Sequence, residues 1–356
     1  MILPALEIGD KKVAVPIIQG GMGIGVSRSS LAAAVANAGG AGIISGVQIG
    51  FQEPDFITNT REANIRALRR EIQAARSEAK KGIIGVNILT AMTHYPELVR
   101  TAAEEGADLI ICGAGLPVDL PKLTEGYNTK NVPVVSSGKA AFVISKMWDR
   151  HYNVIPDAVI VEGPLAGGHL GFSEAELGSD PLPSLFEIVR DVISALKPFE
   201  EKYNRKVPVI AAGGIFTGED IVRHIKNGAS GVQMATRFVA THECDADIKF
   251  KQAYVNAKKE DIKIVKSPVG MPGRAINNTF IKKTESGRVK SERCYNCLKP
   301  CSPGTTPYCI SDALINAVKG NVDEGLIFTG ENAYRVNHIC SVSELMQELV
   351  TEALEI

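Results

Sequence analysis

The stretch VPVIAAGGIFTGEDIVRHIKNGASGVQMAT, residues 207–236, decides the fold. It starts with an apolar strand that ends in two glycines. A helix pattern follows over 218–229, and a second apolar strand covers 231–236. Strands that are apolar throughout are typical of parallel sheets covered by helices. The stretch therefore predicts a β-α-β unit.

The same unit recurs along the chain. We predict eight strands, at 13–19, 41–45, 83–89, 108–113, 132–137, 157–163, 207–214 and 231–236. Helical patterns separate them, and this strict alternation is typical of an α/β fold. Eight units within about 240 residues match the size of a (β/α)8 TIM barrel.

A doubly wound open sheet is the alternative, and it would need a phosphate fingerprint after its first strand. The glycine-rich GGMGIGVSRSS (20–30) fails G-x-G-x-x-G, because Val26 stands at the last glycine position. Small and polar residues gather instead at the carboxyl ends of several strands, where a barrel keeps its active site. We therefore predict a TIM barrel over 1–240, a small lid or substrate-side subdomain over 241–311, and helices over 312–356 that pack back on the barrel.

Composition restricts the class of protein. The 356 residues are 45% hydrophobic and carry a net charge of −1, so no basic surplus indicates nucleic acid or a membrane surface. No apolar run approaches the ~20 residues that span a bilayer, and the start lacks a secretory pattern. We predict a cytoplasmic protein with a small-molecule substrate, and a homo-oligomer stays open.

The last two strand ends indicate a phosphate site, since barrels often bind phosphate with backbone N–H groups there. Its predicted residues are Gly213, Gly214, Gln233, Met234, Ala235 and Thr236. Tight turns without a ligand are the alternative.

A flat ring is the second predicted ligand feature. Asn87 ends an apolar strand and offers a donor and an acceptor. Gly167 and Gly168 allow close backbone approach next to His169, whose ordinary pKa of ~6.5 suits proton transfer. Glu162 ends the preceding strand. The alternatives are an amide satisfied by backbone and a structural histidine.

Five motifs in order resemble the flavin-dependent nitronate monooxygenases, a family that includes flavin-type enoyl-acyl-carrier-protein reductases and NADH:quinone reductases. They are IIQGGMG (17–23), GVNIL (85–89), EGPLAGGHLG (162–171), PVIAAGGI (208–215) and GVQMATRF (231–238). The resemblance implies FMN as cofactor. It places the phosphate on Gly214 and on Gln233, Met234, Ala235 and Thr236. It places the ring and ribityl chain on Gly21, Met22, Gly23, Asn87, Glu162 and Gly167, with His169 as the catalytic residue.

Two positions depart from the family pattern. Glu162 stands where many relatives carry glutamine, and Ala235 where many carry glycine. The carboxylate disfavours an anionic reduced flavin, and the methyl group demands more room at the phosphate.

Three functions remain open. The first is oxidation of alkyl nitronates by molecular oxygen on FMN. The second is reduction of an enoyl thioester or a quinone with NAD(P)H on the same flavin. The third is a non-catalytic barrel that binds a phosphate ligand, against which His169 argues.

Two further features have no assigned role. Cys294, Cys297, Cys301 and Cys309 have the spacing C-x2-C-x3-C-x7-C, which could bind zinc or iron–sulfur or form a bent loop of buried thiols. We expect no metal and no direct part in the chemistry. Arg274 is either a cation on the substrate side or a surface residue.

Overall fold

The computed structural model describes residues 3–79, 82–291 and 293–356. Its strands are β1 (Leu6–Ile8), β2 (Lys11–Val13), β3 (Ile17–Gln19), β4 (Ala41–Ser45), β5 (Ile83–Leu89), β6 (Leu109–Gly113), β7 (Lys130–Val135), β8 (Val159–Glu162), β9 (Gly168–His169), β10 (Val209–Ala212), β11 (Gly231–Met234), β12 (Ile262–Lys266) and β13 (Pro272–Ile276). Strands β3 to β8, β10 and β11 form a closed parallel barrel. The predicted TIM barrel is confirmed.

The helices are α1 (Ser29–Asn37), α2 (Thr60–Glu78), α3 (Tyr95–Glu104), α4 (Leu120–Leu123), α5 (Gly138–Tyr152), α6 (Glu174–Leu177), α7 (Leu185–Tyr203), α8 (Gly218–Lys226), α9 (Thr236–Val239), α10 (Ile248–Val255), α11 (Thr279–Ser286), α12 (Ile310–Val318) and α13 (Val342–Leu354). Short 3-10 turns lie at Lys259–Asp261, Val322–Glu324 and Glu331–Arg335. Within the described ranges, no helix combines the length and apolar character needed to cross a bilayer.

The first predicted strand, 13–19, is divided between two elements. Val13 closes the antiparallel hairpin β1–β2, and only Ile17–Gln19 joins the barrel. Leu6 and Ile8 of this hairpin pack with the residues that fill the barrel interior, such as Ile43 and Ile210. The hairpin therefore covers one end of the barrel with apolar side chains.

A long segment separates the eighth barrel strand from the eighth outer helix. After β11 the chain forms α9, α10, the hairpin β12–β13, α11 and α12, and only then returns as α13. Helix α13 packs against α8 and α1, and Glu352 Oε2 accepts a hydrogen bond of 2.6 Å from the N–H of Gly218. It thus lies between the last and first helices of the ring.

The segment between these elements reaches the glycine loop that the sequence singled out. Strand β13 pairs with β9 in an antiparallel register that sets Gly273 opposite His169 and Arg274 opposite Gly168. The hairpin β12–β13 therefore holds the histidine loop over the carboxyl ends of the barrel strands.

Candidate functional site

A cavity of about 460 Å³ lies at the carboxyl ends of the barrel strands, within the ~300–1,000 Å³ typical of small-molecule sites. It brings together every residue that the sequence predicted for cofactor or catalysis: Gly21, Met22, Gly23, Asn87, Glu162, Gly167, Gly168, His169, Gly213, Gly214, Gln233, Met234, Ala235 and Thr236. Strands far apart in sequence thus contribute to one site.

Three polar side chains form the floor of this cavity. Glu162 and Gln233 both pair in register with Ala212, whose side chain belongs to the barrel interior, so they point inward as well. Asn87 donates from Nδ2 to the carbonyl oxygen of Ile111 at 3.2 Å. In the described part of the chain, Asn87 Oδ1 and the Gln233 amide have no hydrogen-bond partner. These groups can therefore face a ligand.

Glu162 is the acidic member of this floor. Burial raises the pKa of its carboxyl group to about 7, because the charged form loses its hydration. Among the described residues it forms no hydrogen bond or ion pair. Near neutral pH it is therefore partly protonated.

His169 is fixed by contacts from outside its own loop. Its Nε2 lies 2.6 Å from Ser267 Oγ, in the turn between β12 and β13, and its ring meets Phe328 edge-on at 4.9 Å between centroids. Burial lowers the pKa of His169 to about 4, so the imidazole is neutral at pH 7. Only Nδ1 remains for a ligand.

The other end of the cavity suits a phosphate held by backbone groups. Gly213 and Gly214 have φ of +100° and +80°, a region that favours glycine. Thr236 begins α9, and its hydroxyl adds a donor. Among the described residues no Lys or Arg lines the cavity. The residues present therefore fit a cofactor phosphate only through N–H and hydroxyl donors.

The first turn of α8 does not join this phosphate end. Asp220 accepts hydrogen bonds from the N–H groups of Phe216 and Thr217, and Glu352 accepts one from Gly218. The N–H groups of Phe216, Thr217 and Gly218 are therefore occupied by the protein's own carboxylates, and that of Asp220 by the Thr217 hydroxyl.

Part of the cavity wall was not predicted from the sequence. It comes from the segment before α13: Leu326, Phe328, Thr329, Gly330, Glu331 and Asn332. Asn332 Nδ2 donates to the carbonyl oxygen of Gly214 at 2.7 Å. A Cβ on Gly167 would lie 2.6 Å from Thr329 C and 2.7 Å from Gly330 N. Gly167 thus lets this segment pass closely. No local pattern in the sequence marks these contacts.

Both interpretations of Arg274 are wrong. Its side chain is buried, pairs through Nε with Glu331 at 2.8 Å, and donates to the carbonyl oxygens of Pro164 and Ala166. It is neither on the surface nor among the cavity-lining residues. It instead fixes the loop that leads to His169.

The cysteine segment approaches the cavity more closely than expected. Cys297 and Leu298 line its wall, and the carbonyl oxygen of Cys297 accepts a hydrogen bond of 3.1 Å from Thr93 N–H. Among the described residues no group of three or more His, Cys, Asp or Glu side chains is arranged to hold a metal ion. Whether the protein carries a metal stays a prediction.

Comparisons with known proteins agree over almost the whole chain. The family model for nitronate monooxygenase matches residues 7–352. A probable nitronate monooxygenase of Staphylococcus saprophyticus is 26% identical over 383 aligned residues, covering 100% of this chain and 99% of that protein. A probable nitronate monooxygenase of Staphylococcus aureus strain Newman is 28% identical over 285 residues, or 75% of this chain and 76% of the other.

Two solved structures share the fold. FabK from Thermotoga maritima superposes with a TM-score of 0.73 at 28% identity, covering 96% of this chain and 94% of that one. A nitroalkane oxidase from Streptomyces ansochromogenes has a TM-score of 0.73 at 20% identity, with 96% of both chains covered. The second likeness concerns the fold alone.

Proposed function

Because the chain belongs to the nitronate monooxygenase family, we propose that it uses FMN to oxidise alkyl nitronates with molecular oxygen. Family membership makes it a flavin oxidoreductase, which sets aside the non-catalytic barrel. One observation carries the finer proposal: a neutral, half-buried histidine shares a cavity with glycine turns and unpaired amides that suit a ring and a phosphate.

Different residues of the cavity would contact different parts of FMN. Bound FMN would supply the acceptor for electrons from the substrate and the partner for oxygen. The backbone at Gly213–Gly214 and Ala235–Thr236 would hold the phosphate, and Asn87 and Glu162 would face the ring. Gln233, which the resemblance assigns to the phosphate, points into the barrel beside Ala212 and would face the ring instead. Phe328 and Met271 wall the cavity with apolar surface, which limits water around the reacting atoms.

His169 would handle the proton of a neutral nitroalkane. Since its pKa is about 4, the imidazole has a free lone pair at pH 7. If Nε2–H donates to Ser267 Oγ, Nδ1 is the accepting atom. A nitronate has already lost this proton, so His169 would only orient it.

A second function, the NAD(P)H-dependent reduction of an enoyl thioester or a quinone, has separate support. FabK from Thermotoga maritima is the 28% identical structural relative. The segment between β11 and α13 also adds a broad apolar wall, including Val269, Met271, Leu298 and Leu314. The cavity beside this wall could accept the apolar chain of a thioester or quinone substrate.

Anaerobic reduction of the FMN-loaded protein tests the proposal. An alkyl nitronate, NADH and NADPH are added separately, and loss of the visible flavin absorbance is followed. We expect the nitronate to bleach the flavin and admitted oxygen to restore it. Bleaching by NADH or NADPH alone would favour the reductase, and no bleaching by any of the three would contradict both functions.

A further inference from the structure

Glu162 is an ionisable group in the cavity floor without a partner. It ends β8 and points into the barrel mouth. The neighbouring strand β10 carries no titratable residue, and β7 carries only Lys130, at its opposite end. Helix α7 packs on the outer face of β8, away from this side chain. Burial is thus what acts on its carboxyl group.

The other titratable groups of the cavity offer it no cation. His169 is neutral at pH 7, and burial raises the pKa of Cys297 to about 11, so its thiol is protonated. Tyr254 donates its hydroxyl hydrogen to the carbonyl oxygen of Phe328. Glu331 lines the cavity but is paired with Arg274, which does not line it. An ionised Glu162 would therefore depend on water in the cavity for its stability.

We propose that Glu162 contacts the flavin ring as a neutral carboxylic acid, so that cofactor binding takes up one proton. This rests on the proposed cofactor. A ring laid over the floor displaces the water that solvates the carboxylate, which favours the protonated form. A carboxylic acid then offers both a donor and an acceptor, as a glutamine amide would.

The consequence is an affinity that depends on pH. The free carboxyl group titrates at about 7, and only its protonated fraction is competent to bind. The dissociation constant should therefore rise about tenfold per pH unit above 7, and be roughly 100-fold higher at pH 9 than at pH 6. If a ring N–H were donated to an ionised carboxylate instead, affinity would improve with pH.

Titration of the apoprotein with FMN, read by quenching of flavin fluorescence, tests this at pH 6, 7.5 and 9. Glu162→Gln should remove the rise of the dissociation constant with pH. Any pH dependence that remains in this variant comes from ionisation of the FMN phosphate. Asp245→Asn is the matched control. Burial raises the pKa of Asp245 to about 6, but this residue caps α1 outside the cavity, so its variant should keep the wild-type slope.

Calorimetry at pH 8 in two buffers of different ionisation enthalpy counts the protons directly. We expect uptake of about one proton by the wild type and none by Glu162→Gln. Equal pH dependence in both proteins, or tighter binding at pH 9, would overturn the inference while leaving the cofactor proposal intact. Failure of the wild type to bind FMN at every pH would overturn both.

Discussion

At the scale of single residues, the protonation state of His169 is set by the loss of hydration in its surroundings. The half-buried site reduces the hydration of the imidazolium, and no carboxylate among the described residues pairs with it, so its pKa falls to about 4. Ser267 occupies Nε2 and Phe328 fixes the ring plane. The imidazole is thus neutral at pH 7, and in the tautomer whose Nε2–H donates to Ser267 its lone pair lies on Nδ1.

The variant His169→Asn should keep FMN, because backbone and floor residues hold the cofactor. We expect kcat/KM for a neutral nitroalkane to fall by ~10²–10⁴, the usual range for general acid–base catalysis. The loss for a preformed nitronate should be smaller. Steady-state assays with both substrates and measurement of flavin content make the comparison.

The pH profile of the wild type gives a second check. Since the neutral imidazole is the active form, the acid limb of kcat/KM due to His169 should lie near pH 4 rather than at its ordinary 6.5. An inflection near 6.5 that disappears in His169→Asn would contradict this, as would equal losses for the two substrates.

The position of the glycines and His169 around one cavity could be predicted from the sequence, because each follows an apolar strand of the barrel. Their partners could not. Ser267 lies 98 residues from His169, and Arg274 pairs with Glu331 across an irregular segment. No periodicity links such positions, so the positioning of the histidine appeared only in the structure.

At the scale of elements, the loop from Gly163 to His169 is held between the barrel and the segment 326–332. Gly167 and Gly168 look alike in the sequence but differ in their surroundings. A Cβ on Gly167 meets the backbone of Thr329 and Gly330, whereas one on Gly168 meets nothing within 4 Å. Gly168 instead has a φ of +71°, which carries a conformational cost for other residues.

These two glycines should therefore respond differently to alanine. Gly167→Ala should displace the segment that carries Asn332, weaken FMN retention and cost about 1–3 kcal/mol of unfolding free energy. Gly168→Ala should cost ~1–2 kcal/mol from its left-handed backbone and retain FMN. Denaturant unfolding and flavin content after gel filtration measure both effects.

Gly304→Ala is the control for this pair, since a Cβ there is free of contacts within 4 Å. We expect its unfolding free energy to stay within ~0.5 kcal/mol of the wild type. If Gly167→Ala matched this control in stability and in flavin content, the close approach of segment 326–332 would not matter to the site.

At the scale of the whole molecule, the strand–helix alternation was sufficient to predict the barrel, because each buried strand shows its own apolar run. The connection between β11 and α13 was harder, since its hairpin and short helices have no repeating pattern. The division at residues 240 and 311 therefore remains a proposal. The structure places Val269 and Leu298 from 241–311, and Phe328 from 312–356, around one cavity.

The identity of the bound flavin is a prediction for the whole folded molecule. Among the described residues, Gly213 and Gly214 are the only adjacent glycines of the cavity that both have positive φ, and no Lys or Arg lines it, so we expect the site to hold one phosphate rather than a pyrophosphate. Protein purified without chelator and then denatured should release FMN and no FAD on chromatography. Released FAD would require a larger cofactor site than this cavity provides.

The last prediction concerns metal ions. Elemental analysis of the protein purified without chelator should find neither zinc nor iron in stoichiometric amount. Within the described residues, no three His, Cys, Asp or Glu side chains are arranged to hold a metal ion. One zinc or several irons per chain would show that the four cysteines close into a metal centre beside the flavin.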